Sequence, residues 1–499
     1  MSVYRSLFSP ALLIISVVAL SASAALAQTP SAPAPPTSGD PPAPAVAAPQ
    51  NAVVPVAPVK LAPLTPFSTT RETLPSGLRL LVETRPQSAL TAIEVRVRAG
   101  SGQETPAMSG VAHLVEHLVC KGTDACPSGS IDAALENLGG ELSARTTRDD
   151  TQFGCVVPSA KWPESLGVLS EMLTRPAFRP ADLNSERTVV RAEMAAARTE
   201  TARFGLSLLC DSAFRPDHPY HAPLMGTEAA LAHRQPEDLR AFWNRWYRPE
   251  NITLVLVGKV TPDEARRLAL SLFATRPALP AEEQEHAPAD LVRQEDINGI
   301  ERALPAPDFD GRTLTTVLLG FSGPKPQEFA QKGPVVETML ALLASGNRGR
   351  FVNRLVTRDK RAVSVQAEWL PGRLGNLILL TTTATPNDAA HIEDALQAEI
   401  RRVWEDPLVP GELEDARSEV RSRLRYECET VEGRARHLAR LDSLDPTLTD
   451  EKYLARLASV SDSEVKAALH YLTPLRYVVA VLGPPPPRPA ASTSGEVTP

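Results

Sequence analysis

Alternation of apolar and polar residues along short segments of this chain predicts several half-buried β-strands. Such segments occur at residues 91–99 and 313–319, and again at 252–257 and 477–482, and each is followed by a glycine. The two members of each pair are separated by similar lengths of chain. An internal repeat of this kind predicts two tandem homologous domains of roughly 200 residues each.

Helical segments lie between the strands, and two of them begin with a recognisable cap. Thr261 with Glu264, and Ser461 with Glu464, have the Ser/Thr-x-x-Glu pattern of a capping box. The order of strands and helices does not follow the strict βαβ alternation of a parallel sheet. We therefore expect an α+β fold in which each domain is an α/β sandwich, with helices packed on a largely antiparallel sheet.

The ends of the chain differ in composition from its centre. Arg5, the apolar run at residues 11–20 and the tripeptide Ala25-Leu26-Ala27 together have the pattern of a signal peptide. Segments dominated by proline and alanine cannot build a core and are typical of extended tethers. The predicted organisation is a signal peptide (1–27), a tether (28–67), a first domain (68–275), a linker (276–290), a second domain (291–483) and a tail (484–499).

A signal peptide implies that the mature protein works outside the cytoplasm, in the periplasm or after secretion. The alternative is that the apolar run at residues 11–20 is retained as a membrane anchor. No other segment reaches the ~18 continuous apolar residues typical of a membrane helix, so we expect no span after signal cleavage. The formal net charge of -7 and the lack of a basic stripe argue against a nucleic-acid partner.

The candidate chemistry lies in residues 110–117, GVAHLVEH, which contain the pattern His-x-x-Glu-His. On a helix His113 and His117 lie on one face, so their imidazoles can bind the same cation. Glu116 could then reach a water on that cation and act as a general base. Ser109 is expected to cap this helix. Chance occurrence of the pattern is expected only on the order of 0.01 times, although two surface histidines on an amphipathic helix remain the alternative.

A catalytic zinc site needs a third protein ligand. The helical run at residues 181–199 offers Glu186 and Glu193, which are two turns apart and therefore on one face. We assign Glu193 as the third ligand and Glu186 as the carboxylate that orients a ligand histidine. Taken alone, a pair of glutamates at this spacing is typical of a solvated helix face. The His/His/Glu set favours zinc, although ligand type alone does not distinguish zinc from manganese or cobalt.

These residues resemble the pitrilysin family, the inverted His-x-x-Glu-His metallopeptidases that include insulysin and the mitochondrial processing peptidase, in its bacterial two-domain form. The resemblance covers nearly the whole folded region, from TLPSGL at residues 73–78 through the metal motif to the segment 249–258. It includes Glu186, Glu193 and His218-Pro219-Tyr220.

The resemblance implies that His113, His117 and Glu193 are zinc ligands, that Glu116 is the base and that Glu186 supports a ligand. It also implies that Ser143, Ala144, Arg145 and Thr146 form a substrate-binding edge strand, which would hold a peptide by β-augmentation. Family members usually have asparagine where this chain has Ser143.

In the second copy the helix equivalent to the metal-binding one has Glu337 but no histidine, so that domain is expected to be non-catalytic. The family normally supplies an arginine and a tyrosine from this domain to grip the substrate. Arg358 resembles that arginine, but Val363 occupies the tyrosine position. The hypothesis that follows is a heterodimer with a related chain that supplies the Arg/Tyr pair, with a homodimer as the alternative.

The function that these patterns favour is a zinc-dependent metalloendopeptidase that hydrolyses peptide bonds of unfolded or short peptides. One alternative is a non-catalytic scaffold or core subunit of a related peptidase complex. Another is a metal-sequestering protein, which would not need the base Glu116.

Overall fold

The chain divides into two units, and the second of them, Pro63–Pro499, contains the residues that the structure describes. A computed structural model describes residues 64, 67–273, 297, 299–303 and 313–484. The predicted signal peptide, tether, linker and tail lie outside these residues, apart from Leu64, Phe67 and Pro484. The predicted domain boundaries at the linker therefore stay predictions.

The first half of the described chain contains a six-stranded sheet. Its strands are β1 (Thr69–Thr73), β2 (Arg79–Thr84), β3 (Leu90–Val97), β4 (Ser143–Thr146), β5 (Thr151–Pro158) and β6 (Ile252–Gly258). They lie in the order β1-β2-β6-β3-β5-β4, so β4 is an edge strand. Neighbouring strands are antiparallel except for the parallel pair β2 and β6.

The second half contains a five-stranded sheet with the same plan. Its strands are β7 (Ile300–Ala303), β8 (Thr315–Ser322), β9 (Ser364–Leu370), β10 (Leu377–Ala384) and β11 (Tyr477–Leu482). The order β7-β11-β8-β10-β9 repeats the order β2-β6-β3-β5-β4 of the first sheet, which has β1 as an additional strand. Only β7 and β11 are parallel. The predicted α+β fold with largely antiparallel sheets is confirmed.

Fourteen α-helices accompany the sheets in the described part of the chain. In the first half they are α1 (Val111–Lys121), α2 (Ser130–Asn137), α3 (Trp162–Thr174), α4 (Pro180–Thr199), α5 (Thr201–Ala213), α6 (Glu228–His233), α7 (Pro236–Trp246) and α8 (Pro262–Leu272). In the second half they are α9 (Phe329–Ala344), α10 (Pro386–Glu405), α11 (Glu412–Glu427), α12 (Val431–Leu444), α13 (Asp450–Ala458) and α14 (Asp462–Ala468). None of them combines the length and the apolar character that crossing a bilayer requires.

The predicted strands and capping boxes largely agree with this fold, although β3 ends at Val97, three residues before Gly100. Both predicted capping boxes are present, at Thr261 before α8 and at Ser461 before α14. Gly320, however, does not end its strand, because β8 continues through it to Ser322. Gly320 is held in the sheet by its pairing with Leu379 on one side and Val478 on the other.

Each half covers the free face of the other half's sheet with one helix. Helix α5 packs against β7, β8 and β11 of the second sheet, and α12 packs against β3 and β6 of the first. The approach of α5 is close, since a Cβ added to Gly205 would lie 2.8 Å from the side chain of Leu318. This exchange buries apolar residues of both sheets, so the two halves depend on one another for their cores.

A buried ionic network joins α12 to the first sheet. The guanidinium of Arg434, only 2% exposed, contacts Glu83 of β2 at 2.7 Å and Asp450 at 2.6 Å. His437 contacts the other oxygen of Asp450 at 2.9 Å. The charges on Arg434 and His437 hold the pKa of the Asp450 carboxyl well below its usual range, against the opposing effect of burial. A charge buried at such an interface is tolerated only when it is paired.

We predict that Arg434→Ala destabilises the protein by at least about 2 kcal/mol, because it leaves Glu83 and Asp450 with fewer partners inside the protein. Thermal or urea denaturation measures the change. Arg348→Ala is the matched control, since Arg348 contacts Asp415 at 2.7 Å with 86% of its side chain exposed. An exposed pair of this kind contributes about 0–1 kcal/mol. Equal effects of the two substitutions would contradict the prediction.

Candidate metal centre

Helix α1 carries both histidines of the motif and lies in the core of the first half. Its apolar residues are buried on several sides: Val111, Ala112, Leu114, Val115, Leu118 and Val119. His113 and Glu116 are also buried, and His117 is partly exposed. The histidines are therefore not surface residues of an amphipathic helix.

The start of α1 is capped by a residue that the sequence did not indicate. Gly110, with φ +84°, is the N-cap in place of the expected Ser109. The carboxylate of Glu104 accepts hydrogen bonds of 2.8 Å from the backbone N–H groups of Gly110 and Ala112. A glycine is needed because a Cβ at this position would lie 2.7 Å from the carbonyl oxygen of Met225. The expectation for Ser109 was wrong because a loop acid from outside the helix takes its place.

Three candidate ligand atoms converge beside α1. The Nε2 atoms of His113 and His117 each lie 3.5 Å from Oε2 of Glu193 on α4. In a tetrahedral zinc site with bonds of about 2.0–2.1 Å, neighbouring ligand atoms are separated by about 3.3–3.4 Å. The spacing and the donor set of these residues therefore fit a zinc ion.

Glu186 supports this arrangement from the side away from Glu193. Its Oε2 lies 2.8 Å from Nδ1 of His117, and its Oε1 forms an ion pair of 2.8 Å with Nζ of Lys121. A proton on Nδ1 directed at Glu186 leaves the lone pair of Nε2 free for a metal. Glu186 is itself only 2% exposed, so its orientation is restricted.

The electrostatics of the centre favour positive charge between the carboxylates. Burial lowers the pKa of His113 to about 3, and the neighbouring His117 adds to this effect. Burial also lowers the pKa of His117, but its contacts with Glu186 and Glu193 outweigh burial and raise that pKa to about 10. A proton on His117 supplies this positive charge in the absence of a metal, and a bound divalent cation would also supply it.

Glu116 lies next to the ligands and faces the edge strand β4. Its Oε2 accepts a hydrogen bond of 2.6 Å from Oγ1 of Thr146. Burial raises the pKa of Glu116 above its usual range, although His117 and the Thr146 hydrogen bond oppose the change. A carboxylate with a raised pKa takes up a proton more readily than an exposed one, which suits a general base.

The residues expected to bind substrate are divided between two places. Ser143–Thr146 form β4, which among the described strands pairs with β5 alone and leaves its other edge open to a further strand. Arg358 is exposed at the end of the π-helical segment Val352–Arg358, and Val363 is 57% exposed nearby in the chain. Within the described residues, no hydrogen bond or ion pair joins Arg358 to the cluster around His113.

Three contacts at the centre were not predicted from the sequence. Glu104 as a cap had no signal, because it is brought to α1 by a loop. The pairing of Lys121 with Glu186 could have been found, since Lys121 lies one turn beyond His117 on the same helix face. The hydrogen bond from Thr146 to Glu116 joins a strand to a helix and had no local signal.

The equivalent place in the second half is filled by an ion pair. Glu337 on α9 contacts Arg423 on α11 at 2.8 Å. Helices α9 and α11 occupy the positions in the repeat that α1 and α4 have in the first half. An arginine thus lies where the first half has the candidate ligand Glu193, and the two opposite charges of this pair compensate one another.

Two protein-family models match the chain in tandem. Residues 79–228 match the insulinase model of peptidase family M16, and residues 235–420 match the peptidase M16 inactive domain. The chain belongs to peptidase family M16. The resemblance to the pitrilysin family is thereby confirmed, and the second match includes α9, the helix without a histidine.

The names of similar proteins agree with this assignment. The chain is 28% identical over 437 residues to an uncharacterized zinc protease of Mycobacterium leprae, covering 83% of this chain and 91% of that protein. It is 27% identical over 240 residues to a probable mitochondrial-processing peptidase subunit beta of Arabidopsis thaliana, covering 48% of this chain and 45% of that protein. These names associate the family with zinc-dependent proteolysis.

Solved structures show the same fold. A protease from Helicobacter pylori superposes with a TM-score of 0.75 at 21% identity, covering 84% of this chain and 100% of that one. A peptidase M16 inactive domain protein from Pseudomonas fluorescens gives a TM-score of 0.71 at 17% identity, covering 83% of this chain and 98% of that one.

We predict that Glu186→Ala weakens zinc binding by about 10- to 100-fold, because His117 loses the acceptor that orients its ring. Competition with a chromophoric chelator measures the affinity. Glu171→Ala is the control, since Glu171 is a glutamate on α3 that pairs with Arg175 at the surface. An unchanged affinity in Glu186→Ala would contradict the role of this carboxylate.

Proposed function

We propose that this protein is a zinc-dependent metalloendopeptidase that hydrolyses peptide bonds of unfolded or short peptides. The observation that carries the proposal is the convergence of His113, His117 and Glu193 beside the buried carboxylate of Glu116. A protein that only stored metal would need the ligands but not a neighbouring base. The names of the M16 relatives support the same reaction class.

His113, His117 and Glu193 would hold the zinc ion, with Glu186 orienting His117. Bound zinc would supply Lewis acidity, which polarises the scissile carbonyl and makes a nearby water more acidic. Glu116 takes a proton from the water that attacks the carbonyl carbon. It then gives this proton to the amine as the C–N bond breaks. Thr146 holds one oxygen of Glu116 and leaves the other available for the proton.

The open edge of β4 supports peptide binding by β-augmentation. An extended peptide could pair with the backbone of Ser143–Thr146, which requires the substrate to be unfolded over several residues. The side chain of Ser143 donates to the carbonyl oxygen of Gly154 at 3.2 Å. It is shorter than the asparagine usual in the family, so its reach toward a bound peptide is smaller.

We further propose that the active form is a heterodimer with a related chain that supplies an arginine and a tyrosine to the substrate. The observation that favours this is the exposed Val363, since an isopropyl group cannot donate the hydrogen bond of a phenol. A homodimer is the alternative. The same observation supports the second candidate function, a non-catalytic core subunit, which would not bind zinc productively.

The proposal extends to location. The signal-like pattern of residues 1–27 supports export to the periplasm or beyond. Cell fractionation together with N-terminal sequencing of the mature protein tests it.

We predict that Glu116→Gln retains about one zinc per chain but loses peptide cleavage by about 10²- to 10⁴-fold, because the amide cannot accept the proton from water. Metal analysis and cleavage of a fluorogenic peptide measure the two properties. His117→Ala is the control that should lose both zinc and activity. Cleavage at the wild-type rate by Glu116→Gln would refute the assigned base, and no zinc in the wild type would favour the core-subunit function.

We predict that the chain purified alone has low peptidase activity, which rises when it is co-expressed with a related chain that carries the Arg/Tyr pair. The physical reason is the missing phenol hydroxyl at Val363. The control is the same partner with its tyrosine changed to phenylalanine, which should assemble without restoring activity. Full activity from a purified homodimer would argue against the heterodimer.

A further inference from the structure

The turn between β4 and β5, residues 147–150, is held against the loop that precedes α1. The backbone N–H of Ser101 donates to the carbonyl of Thr147 at 3.1 Å, and that of Gly102 donates to Arg148 at 2.8 Å. The packing is close, since a Cβ on Gly100 would lie 2.2 Å from the carbonyl oxygen of Thr147. On this side the turn is fixed by the first half alone.

On its other side the same turn is held by the second half. Oδ1 of Asp149 accepts a short hydrogen bond from the hydroxyl of Tyr220, and Oδ2 accepts one of 2.9 Å from the backbone N–H of Arg373. The backbone N–H of Leu374 donates to the same Tyr220 hydroxyl at 3.1 Å. Arg373 and Leu374 belong to the turn that connects β9 and β10 of the second sheet.

These groups fit closely around a buried tyrosine, while Asp149 and Arg373 are partly exposed. Tyr220 is only 4% exposed. Burial raises the pKa of the Asp149 carboxyl, although its hydrogen bonds to Tyr220 and Arg373 oppose the change. Gly372 allows the contact, because a Cβ there would lie 2.6 Å from the Tyr220 hydroxyl and 3.0 Å from Oδ2 of Asp149. Loss of the Tyr220 hydroxyl leaves the partly buried carboxylate of Asp149 with one donor fewer, so this contact restrains the turn.

The restrained turn continues directly into the candidate site. The backbone N–H of Thr147 donates to the carbonyl oxygen of Asp150 across the turn at 2.7 Å. The residue before it, Thr146, donates a hydrogen bond from its hydroxyl to Glu116. A displacement of residues 147–150 would therefore move both the open edge of β4 and the hydroxyl that holds Glu116. Nothing in this path requires the second half to touch the metal ligands.

We propose that Tyr220 and Asp149 are positioning residues, which with the second-half turn 371–375 form a latch that sets the place of the edge strand Ser143–Thr146. The non-catalytic half thus controls peptide docking in the first half. The inference rests on the proposed function, because β4 is taken as the strand on which the peptide docks.

The first test is Tyr220→Phe, which removes one hydroxyl and keeps the ring. Tyr477→Phe is the matched control, because the hydroxyl of Tyr477 also donates to a carboxylate, that of Glu393, at 2.6 Å within the second half. Hydrogen exchange of residues 143–151 reports the order of the β4–β5 hairpin without any need for activity. Binding of fluorescein-labelled denatured casein to each variant in the zinc-loaded Glu116→Gln background reports docking without turnover.

We expect Tyr220→Phe to speed exchange at residues 143–151 and to weaken casein binding, each by at least about fivefold, while Tyr477→Phe changes neither. In the enzyme with Glu116 intact, KM for a peptide should rise more than kcat falls. Zinc content should not change, since the ligands are not in contact with the latch.

Gly372→Ala tests the latch from the second half, with Gly167→Ala on α3 as its control, because a Cβ at Gly167 has no atom within 4 Å. The added methyl at Gly372 should reproduce the effects of Tyr220→Phe, and it decides the matter if Tyr220→Phe does not fold. Exchange and casein binding that match the controls in both variants would overturn the latch. Peptide cleavage by neither the wild-type chain nor its complex with the related Arg/Tyr partner would instead refute the proposed function, since the exchange result does not depend on cleavage.

Discussion

The imidazole of His117 lies between two carboxylates of the same helix, Glu186 at 2.8 Å and Glu193 at 3.5 Å. Because these glutamates are two turns apart on α4, the distance between them is set by the helix and not by side-chain flexibility. The packing of α1 against α4 then decides whether the ring fits between them. The position of Nε2 of His117 relative to Glu193 follows from this packing, whereas the spacing of His113, Glu116 and His117 is set within α1.

Burial sets the proton affinity of the carboxyl groups in and beside the centre. Glu104 and Glu116 are carboxylates withdrawn from water, and burial raises the pKa of Glu104 to about 8 and that of Glu116 in the same direction. Each is stabilised by a small number of directed donors: backbone N–H groups for Glu104 and the Thr146 hydroxyl for Glu116. The site thus holds carboxylates with few compensating groups, an arrangement that favours the uptake of a proton or of a divalent cation.

The two halves share one fold but differ in the side chains at equivalent positions, a candidate metal cluster in the first and an ion pair in the second. Their sheets have the same strand order and each lends a helix to cover the other, so they are equivalent as packing units. They differ in the few side chains between α1 and α4 and between α9 and α11. Where the first half has two histidines and a glutamate, the second has the pair Glu337 and Arg423, which neutralise one another. The second half contributes structure, through the ionic network at Arg434 and the contact at Tyr220.

Local periodicity in the sequence was sufficient to predict those features of the site and the fold that lie within one helix. The helix spacing of His113 and His117, the two-turn spacing of Glu186 and Glu193, and the capping boxes at Thr261 and Ser461 are set within single elements, where the 3.6-residue period decides which side chains share a face. The contacts between different elements could be seen only in the tertiary structure. Glu104 reaches α1 from a loop, Thr146 reaches Glu116 from a strand, and Tyr220 reaches Asp149 and the second half from another loop. These contacts depend on close packing between segments distant in the chain, which no local pattern records.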